Sequence, residues 1–173
     1  HKDGVSKEVA TILKMHENYD YVLSGSEKMN SFFAEGFKVD KNKILDIGTP
    51  TVDYMLKSNY TKVKEIYNKY PELKEKVNVL YSPTFRNDNR NGFEELIKYF
   101  DFENYNLVIT FHPKVADFKN DERVIKINPS EISTYDIVKI CDYVITDYSS
   151  LMIDALIANK KILLYVYDYD KYK

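Results

Sequence analysis

Short apolar runs alternate with longer amphipathic stretches along the chain, which is typical of strands alternating with helices. Apolar positions recur at helical spacing from Val5 to His16, and the run from Tyr19 to Ser24 has the composition of a buried strand. A second helical pattern covers Glu27 to Phe37, and the run from Lys43 to Ile47 predicts a strand that ends in a turn at Gly48-Thr49-Pro50. The first part of the chain therefore predicts a strand–helix–strand unit that follows a helix.

The rest of the chain repeats this alternation. Five apolar runs predict strands: Val77–Ser82, Asn106–Phe111, Arg123–Ile127, Tyr143–Thr146 and Lys161–Val166. Helical patterns precede or separate most of them: Thr61–Tyr70, which Pro71 ends, Gly92–Phe100, Glu131–Cys141 and Leu151–Ala158. Because such repeats build parallel sheets with right-handed crossovers, we expect an α/β fold with a Rossmann-type, doubly wound parallel sheet.

The two parts predict two lobes. The earlier part resembles the end of a preceding Rossmann-like lobe, and the connection to the next lobe is predicted near Tyr54 to Lys64. We therefore expect domains at residues 1–56 and 57–173.

Composition and charge narrow the class of protein. The chain has 173 residues, with 25 Lys and Arg against 27 Asp and Glu, a net charge of −2 and 44% hydrophobic residues. These values predict a globular protein, and no apolar run approaches the roughly 20 residues of a membrane span. The pI of about 6.0 argues against a nucleic-acid partner.

The cysteine count and the amino-terminal residues indicate in which cellular compartment the protein works. Cys141 is the single cysteine, which excludes an internal disulfide framework and a CxxC metal site and favours a reducing compartment. The amino-terminal residues lack the apolar region of a signal peptide, so we expect a cytoplasmic protein.

Two polar clusters follow predicted strands, where ligands bind in an open parallel sheet. In the first, Ser82 to Asp88, the planar guanidinium of Arg86 suits a phosphate, although a solvated loop arginine is the alternative. The second contains His112, Pro113 and Lys114. A histidine held by proline beside a lysine is placed to contact a phosphate or to transfer a proton. His16, in contrast, lies on the apolar stripe of a helix and is expected to be packed or partly exposed.

The third cluster, Thr146-Asp147-Tyr148-Ser149-Ser150, ends a buried strand and begins a helix. Hydroxyls and unpaired backbone N–H groups at a helix start bind anions, although an ordinary helix cap made by Ser149 or Ser150 is the alternative. Three such loops at one sheet edge favour a site for a phosphorylated ligand. The sequence has neither a Gly-x-Gly-x-x-Gly nor a P-loop pattern.

Four segments resemble the CDP-glycerol glycerophosphotransferase family, the teichoic acid and capsule polymer enzymes with a GT-B fold. In chain order they are Tyr81–Arg86, Phe111–Pro113, Val144–Leu156 and Leu163–Tyr172, and both order and spacing fit. The third segment is the most specific. Upstream, Tyr19–Ser26 and Gly48–Asp53 are similar to the end of the family's acceptor-side lobe, although Thr51 stands where many members carry arginine.

The resemblance implies that residues 57–173 bind CDP-glycerol or a close relative. His112 is the implied catalytic residue. The implied substrate-binding residues are Arg86, Pro113, Lys114, Thr146, Asp147, Ser149, Ser150 and Asp168. Of these, Arg86, Thr146, Ser149 and Ser150 would hold the pyrophosphate with His112, Pro113 and Lys114 would lie near the cytidine, and Asp168 would lie near the donor or the hinge.

The family transfers glycerol phosphate to the terminal hydroxyl of a membrane-anchored polymer and releases CMP. Its catalytic base is a histidine in a Trp-His-Gly-like motif of the amino-terminal lobe, and this chain contains no tryptophan. We therefore expect the donor half of a larger enzyme, inactive alone, with no cofactor and no metal. The acceptor would bind through another part of that enzyme, in the cytoplasm or at the inner face of the cell membrane.

Two other functions stay open. One is another GT-B nucleotide-sugar glycosyltransferase or an epimerase, although Pro83–Arg86 and Asp147–Ser150 are nearer to the glycerophosphotransferases. The other is a receiver-like regulatory module in which Asp147 accepts a phosphoryl group. Against it, no acidic pair follows an early strand to hold the magnesium ion that such chemistry needs.

Overall fold

The computed structural model describes residues 16, 18–84, 92–110 and 121–171. The chain divides into two compact units, His1–Asp53 and Tyr54–Lys173. Apart from His16, the helix predicted from Val5 to His16 lies outside the described residues. The boundary between the units falls a little before residue 56, and the functions predicted for the two parts stay predictions.

The first unit contains a strand–helix–strand motif. Strands β1 (Val22–Ser24) and β2 (Ile44–Asp46) pair in parallel, and helix α1 (Glu27–Phe37) connects them. The helix begins at Ser26, whose hydroxyl accepts a hydrogen bond from a backbone N–H of the first turn at 3.3 Å. His16 packs against the ring of Phe37 at a centroid distance of 4.4 Å, which confirms a packed histidine.

Two predictions for this part were wrong in detail. The predicted strand from Tyr19 begins only at Val22, and the side chains of Tyr19 and Tyr21 are exposed. Pro50 was expected in a turn, but it is the first residue of helix α2 (Pro50–Leu56). Proline suits the first position of a helix, because its missing N–H would have no partner inside the helix there.

The second unit is built around five parallel strands, and all five predicted strands are confirmed. The strands are β3 (Val77–Tyr81), β4 (Tyr105–Thr110), β5 (Val124–Ile127), β6 (Tyr143–Thr146) and β7 (Lys161–Leu164). The helices are α3 (Tyr60–Lys69), α4 (Phe93–Tyr99), α5 (Thr134–Ile140) and α6 (Leu151–Ile157). No helix in the described part of the chain has the length and apolar character that a membrane crossing requires.

The strand order across the sheet is β5-β4-β3-β6-β7. Counted from β3, the first strand of the sheet, this is the 3-2-1-4-5 order of a Rossmann-type sheet, whereas receiver-like domains have the order 2-1-3-4-5. The predicted α/β, doubly wound sheet is therefore confirmed, and the receiver-like alternative was wrong. The winding direction reverses between β3 and β6, which are neighbours in the sheet.

The two faces of the sheet bury separate cores, because successive side chains of a strand point to opposite faces. Leu80, Val108 and Val144 lie on one face, where residues of α3, α5 and α6 pack against them. Val79 and Leu107 lie on the other face, against Phe93 and other residues of α4. Cys141 is fully buried in the first core, and this burial raises the pKa of its thiol, as expected for an unreactive packed cysteine.

Gly92 occupies a position next to α4 that excludes a side chain. Its φ is +64°, and an added Cβ would lie 2.6 Å from Cδ1 of Tyr167. We expect Gly92→Ala to lower the free energy of unfolding by about 2–4 kcal/mol, because it combines left-handed backbone strain with overpacking.

Gly48→Ala is the matched control for this substitution. Gly48 also has a positive φ, +85°, but nothing lies within 4 Å of an added Cβ. It should cost only the backbone strain of about 1–2 kcal/mol. Urea unfolding followed by circular dichroism measures both variants, and equal losses would contradict a role for the Tyr167 contact.

Candidate functional site

The candidate site lies at the carboxyl ends of β3 and β6. Because the winding of the sheet reverses between these two strands, the helices that follow them, α4 and α6, pack on opposite faces of the sheet, and such a reversal leaves a crevice at the strand ends. The loop after β3 begins at Ser82, and the loop after β6 begins at Asp147. Two of the three clusters predicted from the sequence therefore start at this crevice.

Hydrogen bonds extend the pairing of β3 and β6 beyond the strands themselves. The backbone N–H of Ser82 donates to the carbonyl of Ile145 at 3.0 Å. The hydroxyl of Thr146 donates to the carbonyl of Ser82 at 2.8 Å, and the Thr146 side chain is fully buried. Thr146 thus fixes the start of the β3 loop. The hydrogen bond observed for its hydroxyl is made to a protein carbonyl.

Asp147 joins the two loops at the next position. One carboxylate oxygen, Oδ1, accepts from the backbone N–H of Thr84 at 2.8 Å, from the Thr84 hydroxyl at 2.6 Å and from the N–H of Tyr148 at 2.7 Å. The residue is only 5% exposed. Hydrogen bonds to a carboxylate are short and strong, so Asp147 holds Thr84, at the start of the β3 loop, against the β6 loop.

The two serines after Tyr148 have different environments. The hydroxyl of Ser149 accepts from the backbone N–H of Leu151 at 3.2 Å, which is the capping interaction expected of the simpler alternative. Ser150 stands at the helix boundary without a side-chain capping bond, and its side chain is exposed. Ser150 is therefore the serine whose hydroxyl is available to a ligand.

A cavity of about 430 Å³ opens beside these serines. Most of its lining side chains carry a hydroxyl group; the lining residues are Ser82, Pro129, Ser133, Thr134, Tyr135, Ser149, Ser150, Leu151 and Asp154. They come from the loops after β3, β5 and β6 and from the first turns of α5 and α6. Hydroxyl groups can donate to the oxygens of a phosphate and accept from a sugar or polyol, which suits a phosphorylated, hydroxylated ligand.

Asp154 contributes the carboxylate of this cavity. It lies one turn into α6, and burial raises the pKa of its carboxyl above the ordinary value. A carboxylate accepts hydrogen bonds and cannot donate them, so its natural ligand partner is a hydroxyl or an amino group.

The sequence analysis did not single out Ser133, Thr134, Tyr135 or Asp154. The first three belong to one pattern, because Ser133 caps α5 by accepting from the Tyr135 N–H at 3.3 Å. A serine three residues before Asp136 is a recognisable helix start. This pattern could have indicated that Ser133, Thr134 and Tyr135 lie at the beginning of a helix that lines the cavity. Asp154 had no comparable signal, since its position depends on how α6 faces the cavity.

The other predicted site residues fall into two groups. Among the described residues, Thr146, Asp147 and Asp168 are buried and do not line the cavity. Arg86, His112, Pro113 and Lys114 lie outside the described residues, so their assignment stays a prediction. Within the described ranges, no three His, Cys, Asp or Glu side chains come together as metal ligands.

Comparison with known proteins identifies relatives along the whole chain. A family model described as CDP-glycerol:poly(glycerophosphate) glycerophosphotransferase matches residues 1–173. The teichoic acid glycerol-phosphate primase of Bacillus subtilis is 34% identical over 169 residues, which cover 92% of this chain and 43% of the relative. The teichoic acid ribitol-phosphate primase of Bacillus spizizenii is 30% identical over 98% of this chain and 46% of its own length.

Solved structures agree at the level of the fold. A variant of the wall teichoic acid polymerase TagF, soaked with CDPG, superposes with a TM-score of 0.74 at 24% identity, over 99% of this chain and 45% of that protein. This likeness confirms the predicted GT-B-like fold. The chain spans less than half of the length of each of these relatives.

Asp147 provides a test of how the crevice is held. We expect Asp147→Ala to lower the free energy of unfolding by about 3 kcal/mol, because three donors lose a charged acceptor in a buried place. Asp147→Asn keeps an oxygen at the same position and should cost about 1 kcal/mol. Urea unfolding of both variants measures the difference, and an equal loss would show that the three hydrogen bonds contribute little.

Proposed function

The chain belongs to the family of CDP-glycerol:poly(glycerophosphate) glycerophosphotransferases, and we propose that its second unit binds the nucleotide donor in the hydroxyl-lined cavity at the carboxyl ends of β3, β5 and β6. The observation that carries the proposal is the position of this cavity. It lies where the winding of the sheet reverses, which is where nucleotides bind in doubly wound sheets.

The cavity offers groups for both halves of such a donor. Ser150 and the first-turn residues Ser133 and Thr134 present hydroxyls that donate to pyrophosphate oxygens. Asp154 accepts from a hydroxyl of the ribose or of the glycerol. Arg86 and His112 are proposed to add positive charge to the pyrophosphate from loops that follow β3 and β4, and Pro113 and Lys114 to lie near the cytidine.

Thr146 and Asp147 are proposed to affect ligand binding indirectly, through the loops. Their observed hydrogen bonds fix the loops that carry the cavity residues, so we propose that they act on the donor by holding Ser149 and Ser150 in place. Asp168 follows β7 and is buried, and we propose a similar supporting role for it near the hinge.

The proposed reaction is phosphoryl transfer. The acceptor hydroxyl attacks the β-phosphorus of CDP-glycerol, a new oxygen–phosphorus bond forms, and the bond to the CMP oxygen breaks. The hydroxyl proton goes to a base, and the negative charge that develops on CMP needs positive or N–H partners. His112 and the serine loop are proposed to supply these partners.

The remaining steps are assigned to the rest of a longer enzyme. The relatives are more than twice as long as this chain, and we propose that the catalytic base and the binding site for a membrane-linked teichoic acid or capsular polymer lie outside it. We propose that the enzyme meets this acceptor in the cytoplasm, at the inner face of the membrane. The family description favours CDP-glycerol as the donor. The TagF variant that was soaked with CDPG also supports this choice of donor.

Nucleotide selectivity tests this proposal directly. Isothermal titration of the chain with CDP-glycerol, CMP and a UDP-sugar should show binding of both cytidine nucleotides at least about tenfold tighter than binding of the UDP-sugar, a difference of about 1.4 kcal/mol. The same protein should transfer no glycerol phosphate alone. Equal or tighter binding of the UDP-sugar would favour the nucleotide-sugar alternative, and robust transfer would contradict the proposed division of labour.

Substitution of Ser149 and of Ser150 distinguishes a role in ligand binding from a role in helix capping. We expect Ser150→Ala to weaken CDP-glycerol binding about tenfold without a loss of stability, because its hydroxyl makes no capping bond. Ser149→Ala should in addition lower the free energy of unfolding by about 1 kcal/mol, since it removes the bond to Leu151.

Ser130→Ala is the matched control, because Ser130 is exposed near the same sheet edge but does not line the cavity. Titration calorimetry and thermal melts measure all three variants. Unchanged affinity in Ser150→Ala would leave the helix cap as the better account of this loop.

A further inference from the structure

Tyr54, which is 38% exposed, makes a partly buried contact that the donor site itself does not explain. Its hydroxyl donates to Oδ1 of Asp136 at 2.6 Å, and Asp136 is only 4% exposed. Tyr54 lies in α2, and Asp136 lies in the first turn of α5. The ring of Tyr54 also meets the ring of Tyr135 edge-on, with centroids 6.2 Å apart.

Lys139 adds a second point of attachment between the same two helices. Its ammonium group donates to the carbonyls of Tyr54 at 2.5 Å and Lys57 at 3.0 Å, and it lies 4.0 Å from the centroid of the Tyr54 ring. The last carbonyls of a helix have no hydrogen-bond partner within that helix, and a lysine side chain from a neighbouring helix can donate to them. The end of α2 is thus held at two places along α5.

The same turn of α5 forms one wall of the candidate cavity. Ser133, Thr134 and Tyr135 line the cavity, and Asp136 is the next residue. In a Ser-x-x-Asp helix start, the acidic side chain normally turns back to the N–H of the capping serine. Here the Asp136 carboxylate accepts from Tyr54 instead, so the contact with α2 takes part in setting the geometry of the cavity wall.

We propose that Tyr54 and Asp136 are positioning residues for the nucleotide cavity: their hydrogen bond fixes the first turn of α5 in the orientation that presents Ser133 and Thr134 to the donor. The proposal rests on the function proposed above. It adds residues that contact no ligand and that act through the α5 turn.

Loss of the Tyr54 hydroxyl has a defined consequence. The buried Asp136 carboxylate would lose its donor, and a buried carboxylate without one is costly. The nearest remedy is a turn toward the N–H of Ser133, which would move Ser133 and its neighbours relative to the cavity. The Tyr54 hydroxyl remains protonated at neutral pH, since the hydrogen bond to Asp136 and burial raise the pKa of Tyr54 to about 12.

Tyr54→Phe is the direct test, because it removes the donor and keeps the ring that contacts Lys139 and Tyr135. We expect the dissociation constants for CMP and CDP-glycerol to rise about three- to tenfold, measured by titration calorimetry well below the melting temperature. Tyr60→Phe is the matched control: Tyr60 is 82% exposed and should bind like the wild type.

Asp136→Asn provides rescue, because its amide oxygen still accepts from Tyr54, and its affinity should stay within about twofold of the wild type. A lower melting temperature with unchanged affinity in Tyr54→Phe would overturn the positioning role and leave a purely structural one. An equal loss of affinity in Tyr60→Phe would overturn it as well.

Amide hydrogen exchange keeps this test separate from the proposed function. In the unliganded protein, Tyr54→Phe should accelerate exchange in residues 133–137 by about three- to tenfold more than in α6, whereas Tyr60→Phe should not. If the wild type bound no cytidine nucleotide, the proposed function would fail, and exchange alone would decide whether Tyr54 orders the α5 turn. Unchanged exchange there would overturn the inference even if the wild type bound CDP-glycerol.

Discussion

The buried carboxylate of Asp147 is the interaction on which the candidate site depends. Strands β3 and β6 are far apart in sequence but adjacent in the sheet, and the loops that follow them belong to crossovers that leave in different directions. Without a connection, such loops would be free to separate. Two hydrogen bonds from Thr84 to one oxygen of Asp147, together with the Thr146 bond to Ser82, hold the start of the β3 loop against the β6 loop.

The arrangement divides the most specific motif into two kinds of residue. Thr146 and Asp147 face inward and bond to protein, whereas Ser150 faces the cavity and Ser149 caps the helix beside it. A short stretch of chain therefore combines the anchor of the loop with the groups that the loop presents.

Much of the fold was predictable, because the central strands β3, β4 and β6 are buried on both faces and form continuous apolar runs. The runs at β3, β4 and β6 have few polar residues, so their positions were clear, and Asn78 and Asn106 inside them pair with each other and with backbone carbonyls. Helix α2 was missed because it is short and follows Gly48-Thr49-Pro50, which is also typical of a turn. Local patterns could not decide between a turn and a helix that starts with proline.

The candidate site was predictable only where cavity-lining residues come shortly after a strand. Ser149 and Ser150 could be found this way, but Asp154 reaches the cavity because of how α6 rotates on the sheet, and the contact of Tyr54 with Asp136 joins residues 82 positions apart. The positions of these side chains depend on tertiary packing, which cannot be inferred from a short stretch of sequence.

The same packing bears on binding energy. A ligand that had to order these loops would lose part of its affinity to their conformational entropy. Asp147 holds the start of the β3 loop against the β6 loop, and the role proposed for Asp136 is to hold the first turn of α5, so a donor would not have to order these parts of the cavity when it binds.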